Sequence, residues 1–209
     1  MEIILRFYFQ VLCMYKMDDT HTCMEVDENE TIEDALYDNV RRNNLDCATF
    51  ILSSSDADVN KLNNTQKSCL YMALENENVP MVKLLLNHGA DINLSSFSNK
   101  FSRYESPLVT SVRLENEELI EMILERGCAM EGTCGSGKEE KTALQWAATY
   151  GNIHLAERLL AQGADLNWIG PYFHTALHYA TIADKPEMVK WLLEHGADPN
   201  IQNKNGNTA

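Results

Sequence analysis

A six-residue phrase recurs along this chain at a period near 33 residues, and no other feature constrains the fold as strongly. It reads His88-Gly89-Ala90-Asp91-Ile92-Asn93, then Arg126-Gly127-Cys128-Ala129-Met130-Glu131, Gln162-Gly163-Ala164-Asp165-Leu166-Asn167 and His195-Gly196-Ala197-Asp198-Pro199-Asn200. A degraded earlier copy is Ser55-Asp56-Ala57-Asp58-Val59-Asn60. A second phrase moves in register with the first: Ser68-Cys69-Leu70-Tyr71-Met72-Ala73, Ser106-Pro107-Leu108-Val109-Thr110-Ser111, Thr142-Ala143-Leu144-Gln145-Trp146-Ala147 and Thr175-Ala176-Leu177-His178-Tyr179-Ala180. Two phrases in step describe one structural unit copied several times. A unit this short cannot hide its apolar face alone, so the copies must stack into a row.

Each phrase has a physical reason. Ser68, Ser106, Thr142 and Thr175 place a hydroxyl where a helix starts, to accept from amides that lack an intrahelical partner. The small Ala73, Ser111, Ala147 and Ala180 let neighbouring helices approach. A second helix follows, with apolar residues at helical spacing: Met81, Val82, Leu84, Leu85 and Leu86 in one copy, Leu155, Ala156, Leu159 and Leu160 in another, Met188, Val189, Trp191, Leu192 and Leu193 in a third. Gly89, Gly127, Gly163 and Gly196 fall just past these helices, where a left-handed cap suits glycine. The Ala-Asp-x-Asn portion then leads into an extended finger.

With these opening and closing phrases the chain resembles the ankyrin-repeat family, over roughly residues 31–209. The resemblance implies an all-α solenoid of stacked helix-turn-helix pairs with β-hairpin-like finger loops. The repeats would fall near 31–63, 64–101, 102–137, 138–170 and 171–203, with a sixth opening at 204–209. It also implies that His178 makes structural hydrogen bonds between repeats. In the first repeat Asn39 is read at the small-alanine place, giving that repeat a polar outer side suited to a terminal cap. In the third, Met130 and Glu131 displace the usual Asp and the residue after it and Asn is absent, so a less secure turn is expected. Asn205-Gly206-Asn207-Thr208-Ala209 reads as a repeat that breaks off, which predicts a longer parent protein.

Residues 1–29 read as a poorly ordered leader, apolar and then acidic. Ile3 to Tyr15 is too short to span a bilayer and contains Arg6 and Gln10. Glu2 and the missing cleavage site make it a poor signal peptide, so secretion is disfavoured, and translation from Met14 or Met17 would remove the stretch. An acidic run follows, with no basic residue between Lys16 and Arg41. The formal net charge of −14 excludes a phosphate-backbone partner and anionic membranes, and the acidic arm would steer a basic protein partner.

Candidate chemistry is thin. The six cysteines lack metal-ligand pairing and scaffold density and are read as reduced; the six histidines are scattered. Gly132, Gly135 and Gly137 with Lys138 have the wrong spacing for a phosphate loop. No catalytic, cofactor or metal residue is assigned, and His178 has no nucleophile beside it.

What remains is surface. Seven residues separate Asn167 from Thr175 and Asn200 from Thr208, but twelve separate Asn93 from Ser106 and ten separate Glu131 from Thr142. The longest finger carries Phe97, Phe101 and Tyr104 with Lys100 and Arg103; a shorter one carries Trp168, Tyr172 and Phe173. Aromatic and Arg side chains dominate interface energies, so these loops are the expected contact surface, although some rings can pack between fingers instead. The resemblance places Glu75, Asn76, Arg113, Leu114, Thr149, Tyr150, Ile182 and Ala183 near the concave face, Tyr150 being the best candidate. The expected function is a non-catalytic, monomeric, cytoplasmic or nuclear module that binds a protein. The alternatives are a targeting arm of a ubiquitin-ligase adaptor, kinase or cation channel, or a secreted effector.

Overall fold

A computed structural model describes residues 31–100, 103–131, 141–170 and 173–209. The leader, Phe101, the Gly132–Lys138 stretch and Tyr172 lie outside the described residues, and of Arg103 only the backbone is described. Among the described residues are ten α-helices in five pairs: α1 (Ile32–Arg41) with α2 (Leu45–Ser54), α3 (Cys69–Glu75) with α4 (Val79–Asn87), α5 (Pro107–Arg113) with α6 (Glu117–Glu125), α7 (Ala143–Tyr150) with α8 (Ile153–Ala161), and α9 (Ala176–Ile182) with α10 (Pro186–Glu194). Strands β1 (Ser96–Ser98) and β2 (Arg103–Glu105) pair antiparallel in the longest finger. Each helix packs on its pair-mate, and each first helix on the first helix of the next repeat, so the pairs stack as a solenoid.

The opening phrase starts each first helix as its chemistry demands. The hydroxyls of Thr31, Ser68, Ser106, Thr142 and Thr175 all accept from the amide three residues on, with a full capping box at Thr31, Thr142 and Thr175. Asn44, Asn78, Asn116 and Asn152 do the same for the second helices, whereas α10 has no side-chain cap and opens on Pro186. Leu70, Leu108, Leu144 and Leu177 fill the core beside the small Ala73, Ser111, Ala147 and Ala180. Met81, Leu85, Leu119, Ile123, Leu155, Leu159, Met188 and Leu192 close it from the second helices.

Two readings of departures from the repeat are corrected. With Thr31 as the cap, Leu36 and not Asn39 takes the small-residue place, and it is fully buried. Asn39 sits in the last turn of α1, donating to the Ala35 carbonyl at 2.8 Å. In the third repeat Ala129 stands at the Asp place and Glu131 at the Asn place, and the finger is tied down after all.

The reason lies in a relay between fingers. The Asn60, Asn93 and Asn167 side-chain oxygens accept from the backbone amides of Asp91, Ala129 and Asp198, one repeat later, at 2.7, 2.8 and 2.8 Å. Within a repeat, the Asp carboxylate accepts from the amide of the Asn two residues on and so aims it, as Asp58, Asp91, Asp165 and Asp198 all do. Glu131 substitutes for the missing Asn: its Oε1 accepts from the Asp165 amide at 2.6 Å. A carboxylate one methylene longer reaches the same donor without the Asp that would have aimed an Asn.

Gly89, Gly127, Gly163 and Gly196 have φ of +84°, +72°, +93° and +94°. No atom lies within 4 Å of a Cβ added at Gly196, so a substitution there meets conformational strain and no clash. Gly196→Val is therefore expected to lower stability by about 1–3 kcal/mol in urea or thermal unfolding. An unchanged midpoint would show that the cap contributes nothing.

Candidate protein-binding surface

Position relative to the helix cap decides which side chains share a face. The fourth residue after each cap is Met72, Thr110, Trp146 and Tyr179 in successive repeats, and the residue before the cap is Lys67, Glu105, Lys141 and His174. In the last two repeats these positions build a continuous aromatic shelf. The Lys141 ammonium lies 4.5 Å from the Trp146 ring centre and 4.2 Å from that of Tyr179, and donates to Thr149 Oγ1 at 3.2 Å. Tyr150 stacks on Trp146 with centroids 5.5 Å apart, and His174 lies 5.4 Å from Tyr179. All are half-buried. Ile182, on the same first-helix row as Thr149, is 68% exposed.

Tyr150 also borders a groove of about 210 Å³ between the helix turns of neighbouring repeats, with Val112, Ile120 and Leu155 as its apolar floor and Glu115 and Glu117 at its edge. Gly151, beside it, has φ +77°. In the other repeats the same turn holds Asn43, Glu77, Glu115 and Asp184 in the left-handed region.

The finger residues divide into two groups. Phe97 and Tyr104 are cross-strand partners in the hairpin, edge to face at 5.4 Å and half-buried, so these rings largely brace their own loop. Trp168 is half-buried, and its carbonyl accepts from the Gln145 amide at 3.3 Å. Ile169 and Phe173 point outward, 43% and 45% exposed. Phe173 has φ +57°, at a turn position that Gln66 and Gly206 occupy in other fingers. A bulky aromatic held there at a strain cost, with nearly half of its surface in water, is a feature folding alone does not explain.

Several residues expected on the concave face are engaged in structure. Arg113 is an internal cation whose side chain is 8% exposed; its Nε donates to Glu105 at 3.0 Å and its guanidinium also pairs with Glu75. Burial opposes the Arg113 charge, but the two carboxylates outweigh it and raise its pKa. Glu105, 1% exposed, ends β2, so the pair fixes the long finger to α5. Asn76 donates to the Arg41 carbonyl and to Asn43, bridging the ends of two first helices.

The buried polar residues of the phrases connect repeats. His178 Nδ1 accepts from the Thr175 amide at 3.2 Å, which leaves Nε2–H to donate to the Asn207 carbonyl at 3.2 Å. Gln145 does the same one repeat earlier: its oxygen accepts from the Thr142 amide and its nitrogen donates to the Trp168 and His174 carbonyls. Burial pushes the Cys69 thiol up to about 12 and that of Cys128 to about 11, so neither is a thiolate at neutral pH. Among the described residues no cluster of three His, Cys, Asp or Glu side chains could hold a metal, and no helix is long and apolar enough to cross a membrane.

A family model described as ankyrin repeats matches three overlapping stretches, residues 13–96, 36–134 and 108–203. The chain belongs to the ankyrin-repeat family. Ankyrin repeats are protein-interaction modules and generally non-catalytic. This ankyrin-repeat chain is 28% identical over 148 residues to an L-asparaginase of Dirofilaria immitis, covering 71% of the chain and 24% of the relative. It is 28% identical over 190 residues to an E3 ubiquitin-protein ligase of Arabidopsis thaliana, covering 88% and 11%. It is 30% identical over 148 residues to a putative ankyrin repeat protein of fowlpox virus, covering 68% and 41%. The chain thus spans less than half the length of these relatives.

The loop residues could be named from the sequence, but the shelf members Lys141, Trp146, His174 and Tyr179 were not. For Trp146 and Tyr179 the signal was the variable place between Gln145 or His178 and the following alanine, where two successive repeats carry a large ring. Removing the internal cation by Arg113→Ala strands buried Glu105, and a loss of about 3–5 kcal/mol is expected in chemical unfolding. Adding Glu105→Leu should recover part of it; no recovery would deny the pair its role. Phe173→Gly should raise stability by up to about 1 kcal/mol, since glycine relieves the left-handed strain. A lower melting temperature would show that the ring is held by packing.

Proposed function

We propose that this chain is a non-catalytic binding module that recognises a protein segment across the shelf of Trp146, Tyr150 and Tyr179 and the neighbouring finger of Trp168, Ile169 and Phe173. The observation that carries this reading is Phe173: an exposed ring in a strained backbone is a burden on the isolated fold and an asset in a contact. The shelf supports it, because rigid rings lose little entropy when a partner covers them. Of the loop residues named from the sequence, Tyr172 lies in this finger's stretch of sequence and Phe101 and Arg103 in that of the longer one, whereas Phe97 and Tyr104 brace the long hairpin and contribute at the margin. The partner carries basic residues, in keeping with the net charge of −14 and the acidic edge of the Tyr150 groove. The module acts as a monomer in the cytoplasm or nucleus.

A second reading is that the repeats are the targeting arm of a larger protein. It is favoured by the E3 ubiquitin-protein ligase of Arabidopsis thaliana, of which the matched stretch is 11%. Both readings use the same surface. Replacing Tyr150, Trp168 and Phe173 together by alanine should abolish capture of the protein that the native chain retains, with helical circular dichroism unchanged. Retention of that protein at native affinity would refute the surface.

A further inference from the structure

We propose that His174 is an acid-sensitive latch that helps hold the 203–207 finger against α9 at neutral pH and loosens it when the ring takes up a proton. The finger is a closed turn: the Asn203 amide donates to the Asn207 carbonyl at 2.8 Å and the Gly206 amide to the Asn203 carbonyl at 2.9 Å. Asn203 Oδ1 accepts from the backbone amides of Asn205 and Asn207 at 2.9 and 3.1 Å. That fixes the carboxamide, so its NH2 and not its oxygen faces His174 Nε2, at 3.2 Å. The imidazole nitrogen is therefore an acceptor, and a proton on it would set donor against donor. Turning the carboxamide over would sacrifice both bonds that shape the finger.

His178 anchors the same finger: its Nδ1 accepts from the Thr175 amide, which leaves Nε2–H to donate to the Asn207 carbonyl. The two rings stand edge to face with centroids 5.4 Å apart. The groups facing His174 are His178 and Tyr179 from α9, Lys141 from the segment before α7 and Asn203 from the finger. Burial, with the basic His178 ring and the Lys141 charge adding to it, holds the His174 imidazole below its ordinary value of about 6.5. The unfolded chain thus binds protons that the latched state refuses. The stability the latch contributes is complete above that value and is lost as pH falls below it. Tyr179 touches both His174 and Lys141, so the latch borders the aromatic shelf.

Amide hydrogen exchange on the full chain tests this, with protection corrected for intrinsic chemistry and referred to amides of α7, at about pH 7.5 and about pH 5.0. The Gly206 and Asn207 amides should lose protection several-fold at the lower pH. In the His174→Gln/His178→Gln variant the loss should vanish, because Gln accepts and donates without titrating. Gln145 already fills the His178 role in the preceding repeat. Equal protection at both pH values, or the same loss in the double variant, overturns the latch. Nitrogen NMR of the native chain is independent of any variant's folding: the Asn203 carboxamide signal should titrate with the His174 ring, and a signal unmoved through that transition also overturns it.

Discussion

No helix pair in this chain can cover its own apolar face, and the structure follows from how that face is shared. Leu70, Leu108, Leu144 and Leu177 stand at one offset from successive caps, and the small residue three places on lets the next first helix close over them. At about 25 cal/mol per Å² of apolar area removed from water, burial of such layers is the main favourable contribution, but it is non-directional. It draws repeats together without setting how one is turned on the next. The finger relay supplies that direction. A side-chain oxygen from one repeat reads a backbone amide of the next at four successive junctions, and Gln145 and His178 make a second connection from inside the stack.

Orientation fixed this way leaves some positions free to carry function. The residue before each cap and the fourth residue after it recur at the same place in every repeat yet are not needed for the relay. They vary accordingly, from Lys67 and Met72 to His174 and Tyr179. In the last two repeats they carry rings, and Lys141 lies across two of them. In the middle of the stack the place before the cap holds Glu105, which joins Arg113 and Glu75 in an ion group that turns part of the expected contact face into an internal brace for the long hairpin. The place before the cap thus borders the aromatic shelf at one end of the stack and braces a hairpin in its middle.

Strain and titration are concentrated at that same end. Phe173 occupies a turn position where glycine would be easier, and His174, the next residue, faces a carboxamide whose oxygen already accepts from two backbone amides. A repeat protein tolerates such features because each repeat depends chiefly on its neighbours. A local cost near the shelf is not felt throughout the stack.

The sequence by itself determined the period, the helix starts, the left-handed glycines and the stacking of apolar faces. These depend on residue type at fixed local spacing, which a chain displays without being folded. It named Trp168 and Phe173 by composition and Tyr150 through the family resemblance, but it could not tell an exposed ring from one that pairs within its own finger, as Phe97 does with Tyr104. Nor could it show that Leu36 takes the place read for Asn39, that Glu131 replaces a missing Asn, or that Arg113 is withdrawn from solvent. The last two rest on which atoms from another repeat come within about 3 Å, the reach of a hydrogen bond. Tertiary structure alone decides that distance.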